Sequence, residues 1–150
     1  MLTRLKTRIP DLVTPAHFVL ENPDSALELR DHSEFEREWL RVFEALHASE
    51  IPEPAMRAVT EIERTAFETV YAVTQSSNFT EFAPAVSEDF GLFARAVHLD
   101  YHDPWLSGLF ACYQRGVFPC GPIQPVNTRL SELLANAQPS PSPSAQISED

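Results

Sequence analysis

The sequence predicts an all-α protein: a single-domain bundle of four to five helices with Pro-rich turns and an irregular N-terminal segment. Three observations predict it. Apolar residues recur at spacings of three and four over several long stretches, the period of an amphipathic helix. Strict two-residue alternation, the mark of a half-buried strand, is missing over any comparable length. The 13 prolines fall mostly between the periodic stretches, where they stop helices and fix turns. A chain of 150 residues is long enough to bury one sizeable core.

Residues 1–24 contain Pro10, Pro15 and Pro23. Each fixes φ and removes a backbone donor, so this segment is expected to be irregular and to pack on the body. A short hairpin between residues 9 and 30 is the one opening for β structure. The helical domain is expected over residues 25–138. Its first clear helix starts near Ser33, where Ser33 and Glu36 form a Ser-x-x-Glu capping box, with Asp24 or Ser25 as an earlier start. Phe35, Trp39, Val42, Phe43 and Leu46 share one face of that helix.

Pro52 and Pro54 interrupt the pattern, and Pro54 suits the first turn of a long helix over about Glu53–Ser77. Its stripe is Met56, Val59, Ile62, Ala66, Phe67, Val70 and Val73. The stretch from Ser76 to Pro84 reads as a connector. Ser87 is then the expected N-cap of a helix whose buried face is Phe90, Phe93, Ala94 and Val97. Asp103-Pro104 opens the next helix, an Asp cap followed by Pro at the first helical position. Trp105, Leu106, Leu109, Phe110 and Tyr113 are its apolar side chains, and Gly116 stands where a left-handed C-terminal glycine is expected. A last short helix carries Leu130, Leu133 and Leu134. Residues 139–150 alternate Pro and Ser and end acidic, a composition too poor in apolar groups to offset ordering entropy, so this tail is expected to be disordered.

Charge narrows the function. The net charge is −11, and beyond residue 8 the chain carries 8 basic and 22 acidic residues, a net of −14. Such a field repels nucleic acid, whose affinity comes from cations neutralising phosphates, and repels anionic membranes. It favours basic protein partners, cationic ligands or metal ions. No apolar run approaches the ~20 residues of a membrane span, and none precedes Pro10 in the manner of a secretory signal. The expected compartment is the cytoplasm, with Cys112 and Cys120 reduced.

Catalytic motifs are missing. No serine sits in a G-x-S-x-G elbow, and 4 glycines leave no phosphate-cradling loop. Cys120, in FPCGP, has no neighbouring histidine to activate it. No cofactor is expected. The richest cluster is HLDYHD, His98–Asp103. His98 and His102 at i and i+4 would share a helix face as two metal ligands can, with Asp100 or Asp103 completing the set and a further ligand from His17, His32 or His47. The competing reading is a polar junction between two helices, because Pro104 biases residue 103 away from helix.

Residues 81–103 carry five acids and one base, Arg95. The expected protein-interaction residues are Glu81, Glu88, Asp89, Asp100, His102, Asp103 and Trp105. The expectation from these features is a non-enzymatic, acidic protein-binding module, in its most concrete form an immunity-type inhibitor that covers the cationic surface of a basic toxin. Two alternatives stand beside it: a metal-binding protein or metal-dependent enzyme built on His98–Asp103, and a homo-oligomer that buries the turn aromatics Phe79, Phe82, Trp105 and Phe118 against a second copy.

Overall fold

The computed structural model of the chain describes residues 1–20, 22–31, 33–74 and 79–136. The Pro/Ser tail expected at 139–150 lies outside the described residues. Among these residues the protein is all-α, with seven α-helices and no strand. They are α1 (Leu2–Leu12), α2 (Pro23–Asp31), α3 (Ser33–His47), α4 (Glu53–Thr74), α5 (Ala83–Leu99), α6 (Pro104–Gln114) and α7 (Leu130–Asn136), with 3-10 turns at Pro15–Phe18 and Phe79–Phe82. The all-α class agrees with the sequence. The helix count of four to five does not, because short helices precede and follow the long amphipathic ones.

The largest correction is at the N-terminus, where most of the described residues of 1–24 are helical rather than irregular. Residues 2–12 form a helix with Pro10 inside it. A proline within a helix costs roughly 3 kcal/mol. Leu5, Ile9 and Leu12, all buried, contribute on the order of 1.5–3 kcal/mol each, so packing wins. Pro10 also stands close to the C-terminal end, where little helix remains to be broken. No hairpin forms among the described residues of 9–30: Pro15–Phe18 is a 3-10 turn and α2 follows, its start capped by the Asn22 side chain, which accepts from the Ser25 amide at 3.1 Å.

Helices α4 and α5 make the most extensive packing in the molecule. They run antiparallel, since Ser87 and Gly91 lie beside Glu63 while Arg95 lies beside Met56. Helix α1 lies across α4, α5 and α6, tied at the surface by Lys6–Glu61 at 2.6 Å. Helix α3 also packs on α5. Helix α5 is therefore central, and Val86, Phe90, Leu92, Phe93, Ala94, Ala96 and Val97 are all buried. It begins at Ala83, before the expected Ser87 cap. Pro84 lies in its first turn, where a missing amide is harmless, and Ser87 instead donates its hydroxyl to the Glu63 carbonyl at 2.9 Å.

Both ends of α6 follow the sequence reading. The Asp103 carboxylate accepts from the Leu106 amide at 3.1 Å. At the other end Gly116 has φ 76°, with the Val117 amide bonded to the Cys112 carbonyl and the Gly116 amide to the Tyr113 carbonyl, a Schellman closure. Phe93 meets Phe110 edge-on at 5.1 Å, and Phe90 meets Tyr113 likewise at 5.1 Å. This aromatic seam joins α5 to α6 and fills the centre of the core.

Candidate functional site

The site is built on a buried anchor. Asp89, on α5, is fully buried and accepts four hydrogen bonds: two from the Arg30 guanidinium at 2.9 and 2.7 Å, one from the Trp39 indole at 2.9 Å and one from the Tyr113 hydroxyl at 2.6 Å. Arg30 also donates to the Pro119 carbonyl at 3.0 Å and lies over the rings of Phe35 and Phe118. One carboxylate thus holds α2, α3, α6 and the loop after α6 against α5. Burial disfavours the Arg30 charge, but Asp89 more than offsets it and holds the guanidinium protonated. Burial, with the adjacent carboxylate, pushes the Tyr113 hydroxyl well above its ordinary range, so it stays a donor.

Above this anchor a groove runs between α3 and α5. At one end a cavity of about 220 Å³ is walled by Arg30 and Asp31 of α2, by Phe35, Glu36, Trp39 and Leu40 of α3, and by Ala85 and Glu88 of α5. At the other a cavity of about 90 Å³ is walled by Trp39, Phe43 and His47 of α3, Glu63 of α4, and Glu88, Gly91, Leu92 and Arg95 of α5. Trp39 and Glu88 line both, so the two cavities adjoin across these side chains.

Its α3 wall is an aromatic ladder produced by i, i+4, i+8 spacing on one helix face. Trp39 and Phe43 stack with centroids 5.5 Å apart, and Phe43 and His47 at 3.9 Å. The His47 Nδ1 donates to the Phe43 carbonyl at 2.9 Å, fixing the ring. Phe43 is 36% exposed and Leu40 45%, so this wall presents apolar surface to solvent. The rim is acidic: Asp31, Glu36, Glu63 and Glu88 line it.

The carboxylates of Glu88 and Glu63 have neither a hydrogen bond nor an ion pair among the described residues. Burial pushes the Glu88 carboxyl up, Asp89 adds to the rise, and Arg30 opposes it. Burial likewise raises Glu63, against the pull of Arg95 and with a further push from Glu88. Gly91 makes room for Glu63, since a Cβ there would meet the Glu63 carboxylate at 2.2 Å. Arg95 is committed elsewhere by hydrogen bond, to the Met56 sulfur at 3.5 Å.

The structure distributes the seven sequence-expected interaction residues rather than gathering them. Asp89 is the buried anchor, a correction of its assignment to an acidic face. Asp103 is also buried, capping α6 and paired with Arg41 at 2.8 Å. Trp105 is buried, packed edge-on against Phe35 at 5.4 Å. Glu81 is exposed on the turn before α5. Asp100 is exposed in a left-handed conformation at the C-cap of α5, paired with Arg129 at 3.0 Å. His102 is half-buried in the α5–α6 turn, with its Nδ1 unpartnered. Glu88 alone of the seven lines the groove. Twelve residues of helix, roughly 18 Å at 1.5 Å per residue, separate it from Asp100.

The alternatives lose their geometry in the same way. In the His98–Asp103 cluster, Asp100 is engaged by Arg129 and Asp103 by Arg41, and α5 ends before His102, which breaks the shared face. Among the described residues no group of three or more His, Cys, Asp or Glu is placed to hold a metal ion. Phe82, Trp105 and Phe118, which the oligomer alternative needs facing outward, are buried in the core. The side chain of Phe79 lies outside the described residues. Cys112 and Cys120 are free thiols, both pushed above their ordinary range by burial, opposite to what a nucleophile needs. The groove itself was missed from sequence. Its signal was there in Trp39 and Phe43, which fall at the edge of the α3 stripe, next to Glu36 and Leu40.

Comparison with known proteins places this geometry in context. The model of the family described as Immunity protein PIM1 matches residues 7–120, from the middle of α1 to the loop after α6, and includes the residues that line both cavities. No curated protein and no solved structure matches the chain.

Proposed function

The chain belongs to the Immunity protein PIM1 family, and from that premise we propose that it binds a toxin and neutralises it by contact, using the groove between α3 and α5. The single observation that carries the choice of face is the pairing of solvent-exposed aromatic and aliphatic side chains, Phe43 and Leu40, with an acidic rim. Protein interfaces put their energy into a few such anchors, surrounded by polar groups that exclude water. The net charge of −11 supports a basic partner, because opposite fields accelerate encounter. The acidic surface shields no reaction of its own; its role is to occupy and occlude.

The cytoplasm is the compartment this reading favours, where free thiols persist. Among the described residues no helix is long and apolar enough to cross a membrane.

Co-expression tests the proposal. Each toxin encoded near this gene is produced in a bacterial host with and without the chain. Restored growth together with a stoichiometric purified complex is expected for one of them. A chain that protects against none and co-purifies with none overturns it.

A further inference from the structure

We infer that Asp89 is a positioning residue for recognition: from inside the core it sets the tilt of the Trp39 indole, and with it the ring surface that the groove offers. This rests on the toxin-binding reading above and adds to it a residue too deeply buried for any partner to touch.

The carboxylate has no spare capacity. Its two oxygens offer about four lone-pair positions, and all are used. Oδ1 accepts from Arg30 Nη2 at 2.7 Å and from the Trp39 Nε1–H at 2.9 Å. Oδ2 accepts from Arg30 Nη1 at 2.9 Å and from the Tyr113 hydroxyl at 2.6 Å. Turning the carboxylate to follow the indole would break a bond to the guanidinium or to the phenol. Asp89 is therefore a fixed reference, held by Arg30 of α2 and Tyr113 of α6, and the indole takes its orientation from it. Burial makes the bond strict, because Asp89 is 0% exposed and water cannot replace the indole N–H there.

That orientation reaches the surface along α3. Trp39 is half-buried and walls both cavities. Phe43 stacks on it, inclined by 17° with centroids 5.5 Å apart, and His47 stacks on Phe43 at 3.9 Å. A stacked ring follows the tilt of its neighbour, since the offset contact is lost when one ring turns alone. The exposed part of Phe43 is thus placed by a bond made in the interior. An indole without that bond would be free to sample other side-chain torsions, and the ladder would present a competent surface for only part of the time. The apparent affinity of a partner falls in proportion to that fraction.

The test uses the full chain, two variants and the toxin recovered by the co-expression described above. Trp39→benzothienylalanine keeps the shape and area of the ring and puts sulfur in place of the N–H. Tyr113→Phe removes a donor from the other carboxylate oxygen and leaves the Trp39 bond intact, so it carries a loss of stability of the same kind and serves as the control. The analogue is expected to weaken the toxin complex about fivefold to tenfold, the factor for a competent fraction of about one fifth to one tenth, and to shift the Phe43 ring resonances of the free chain. Tyr113→Phe should bind like the parent and leave those resonances in place, although its urea midpoint falls. In the unmodified chain the Trp39 indole proton should exchange with solvent far more slowly than that of free tryptophan, a measurement that needs no variant to fold. An analogue that binds like the parent, a Tyr113→Phe chain that loses as much affinity as the analogue, or a Trp39 indole proton that exchanges at the free rate overturns the positioning role. Any of these in a chain that still protects cells defeats this inference alone. A chain that protects against no toxin overturns the immunity reading, and this inference with it.

Discussion

Arg30 and Asp89 lie 59 positions apart and meet as a two-pronged ion pair in the interior, with N–O separations of 2.9 and 2.7 Å. The pair is not decoration on the fold. It fixes α2 and, through Trp39, α3 onto the central helix, and thereby sets the width of the groove.

Breaking the pair from one side should be costly. Asp89→Asn leaves the buried Arg30 charge uncompensated, and a loss of about 3–5 kcal/mol is expected in urea unfolding at neutral pH. Replacing both partners, as Arg30→Met with Asp89→Leu, should cost less than the two single changes summed, because no charge is left stranded. An Asp89→Asn protein within 1 kcal/mol of the parent would show that the pair contributes little.

The start of α6 gives a second test. Asp103→Ala removes the side chain that accepts from the Leu106 amide, and with it the partner of Arg41. The lost cap is worth about 1 kcal/mol, within a range of roughly 0.5–2. Arg41 is substantially exposed, so the ion pair adds little. Asp103→Ser keeps a capping oxygen and should recover most of the loss in thermal unfolding.

Acid titration should expose His17. Its Nε2 donates to the Tyr113 carbonyl at 2.8 Å while Nδ1 accepts from the Thr14 amide at 3.1 Å, a pattern met by the neutral ring. Burial lowers its pKa against the opposing carbonyl bonds. Below 6.5 the unfolded chain therefore takes up a proton that the folded one refuses, and stability falls as pH drops through that point toward the lower folded value. Glu63 and Glu88 act with the opposite sign. Their raised folded pKa values let the native state bind protons first, so lowering pH toward 4.5 stabilises it. His17→Gln should remove the first trend and Glu63→Gln/Glu88→Gln the second, read as urea midpoints between pH 4 and 7.5. Midpoints of the His17→Gln protein that still track the parent's fall below 6.5 would remove His17 as the cause.

Close packing of the loop on α6 predicts a steric penalty. A Cβ on Gly108 would stand 2.2 Å from the Gln124 backbone oxygen and 3.0 Å from an Ile123 methyl. Gly108→Ala should destabilise by about 1–3 kcal/mol, despite alanine's better helix propensity. Gly91→Ala meets only the mobile end of Glu63, so chemical denaturation should show a much smaller change.

With the groove as the proposed toxin-binding face, Phe43→Ala should weaken the complex by about tenfold or more while leaving unfolding nearly unchanged, since the ring is a surface group. Raising salt from 50 to 500 mM should slow association more than it speeds dissociation, as measured by stopped flow. A salt-independent association rate would remove the electrostatic part of the interface.

Much of the fold was legible because periodicity reports burial directly. Val59, Ile62, Ala66 and Val70 were assigned to the core of α4 from spacing alone and are buried there. The Asp103-Pro104 start and the Gly116 stop of α6 were readable because a cap is a local device. Helix α1 was not, since a rule about Pro10 weighs one residue while the outcome turned on burying Leu5, Ile9 and Leu12 in a core built from the rest of the chain. The site was harder still. Glu88 and Asp89 are neighbours of like charge, and one faces solvent while the other reaches the centre of the molecule. A clue existed: Val86, Asp89 and Phe93 follow the buried spacing of three and four. Its partner Arg30 could not be found by any local rule, because only the folded chain brings them together.

The division of labour between anchor and rim has a further consequence. Arg30, Asp89 and Tyr113 secure the chassis from within, while Asp31, Glu36, Leu40, Phe43 and Glu88 take no part in that fastening. With the groove as the toxin-binding face proposed above, its outward residues can be exchanged one at a time, altering which opponent is met without loosening the frame that presents them.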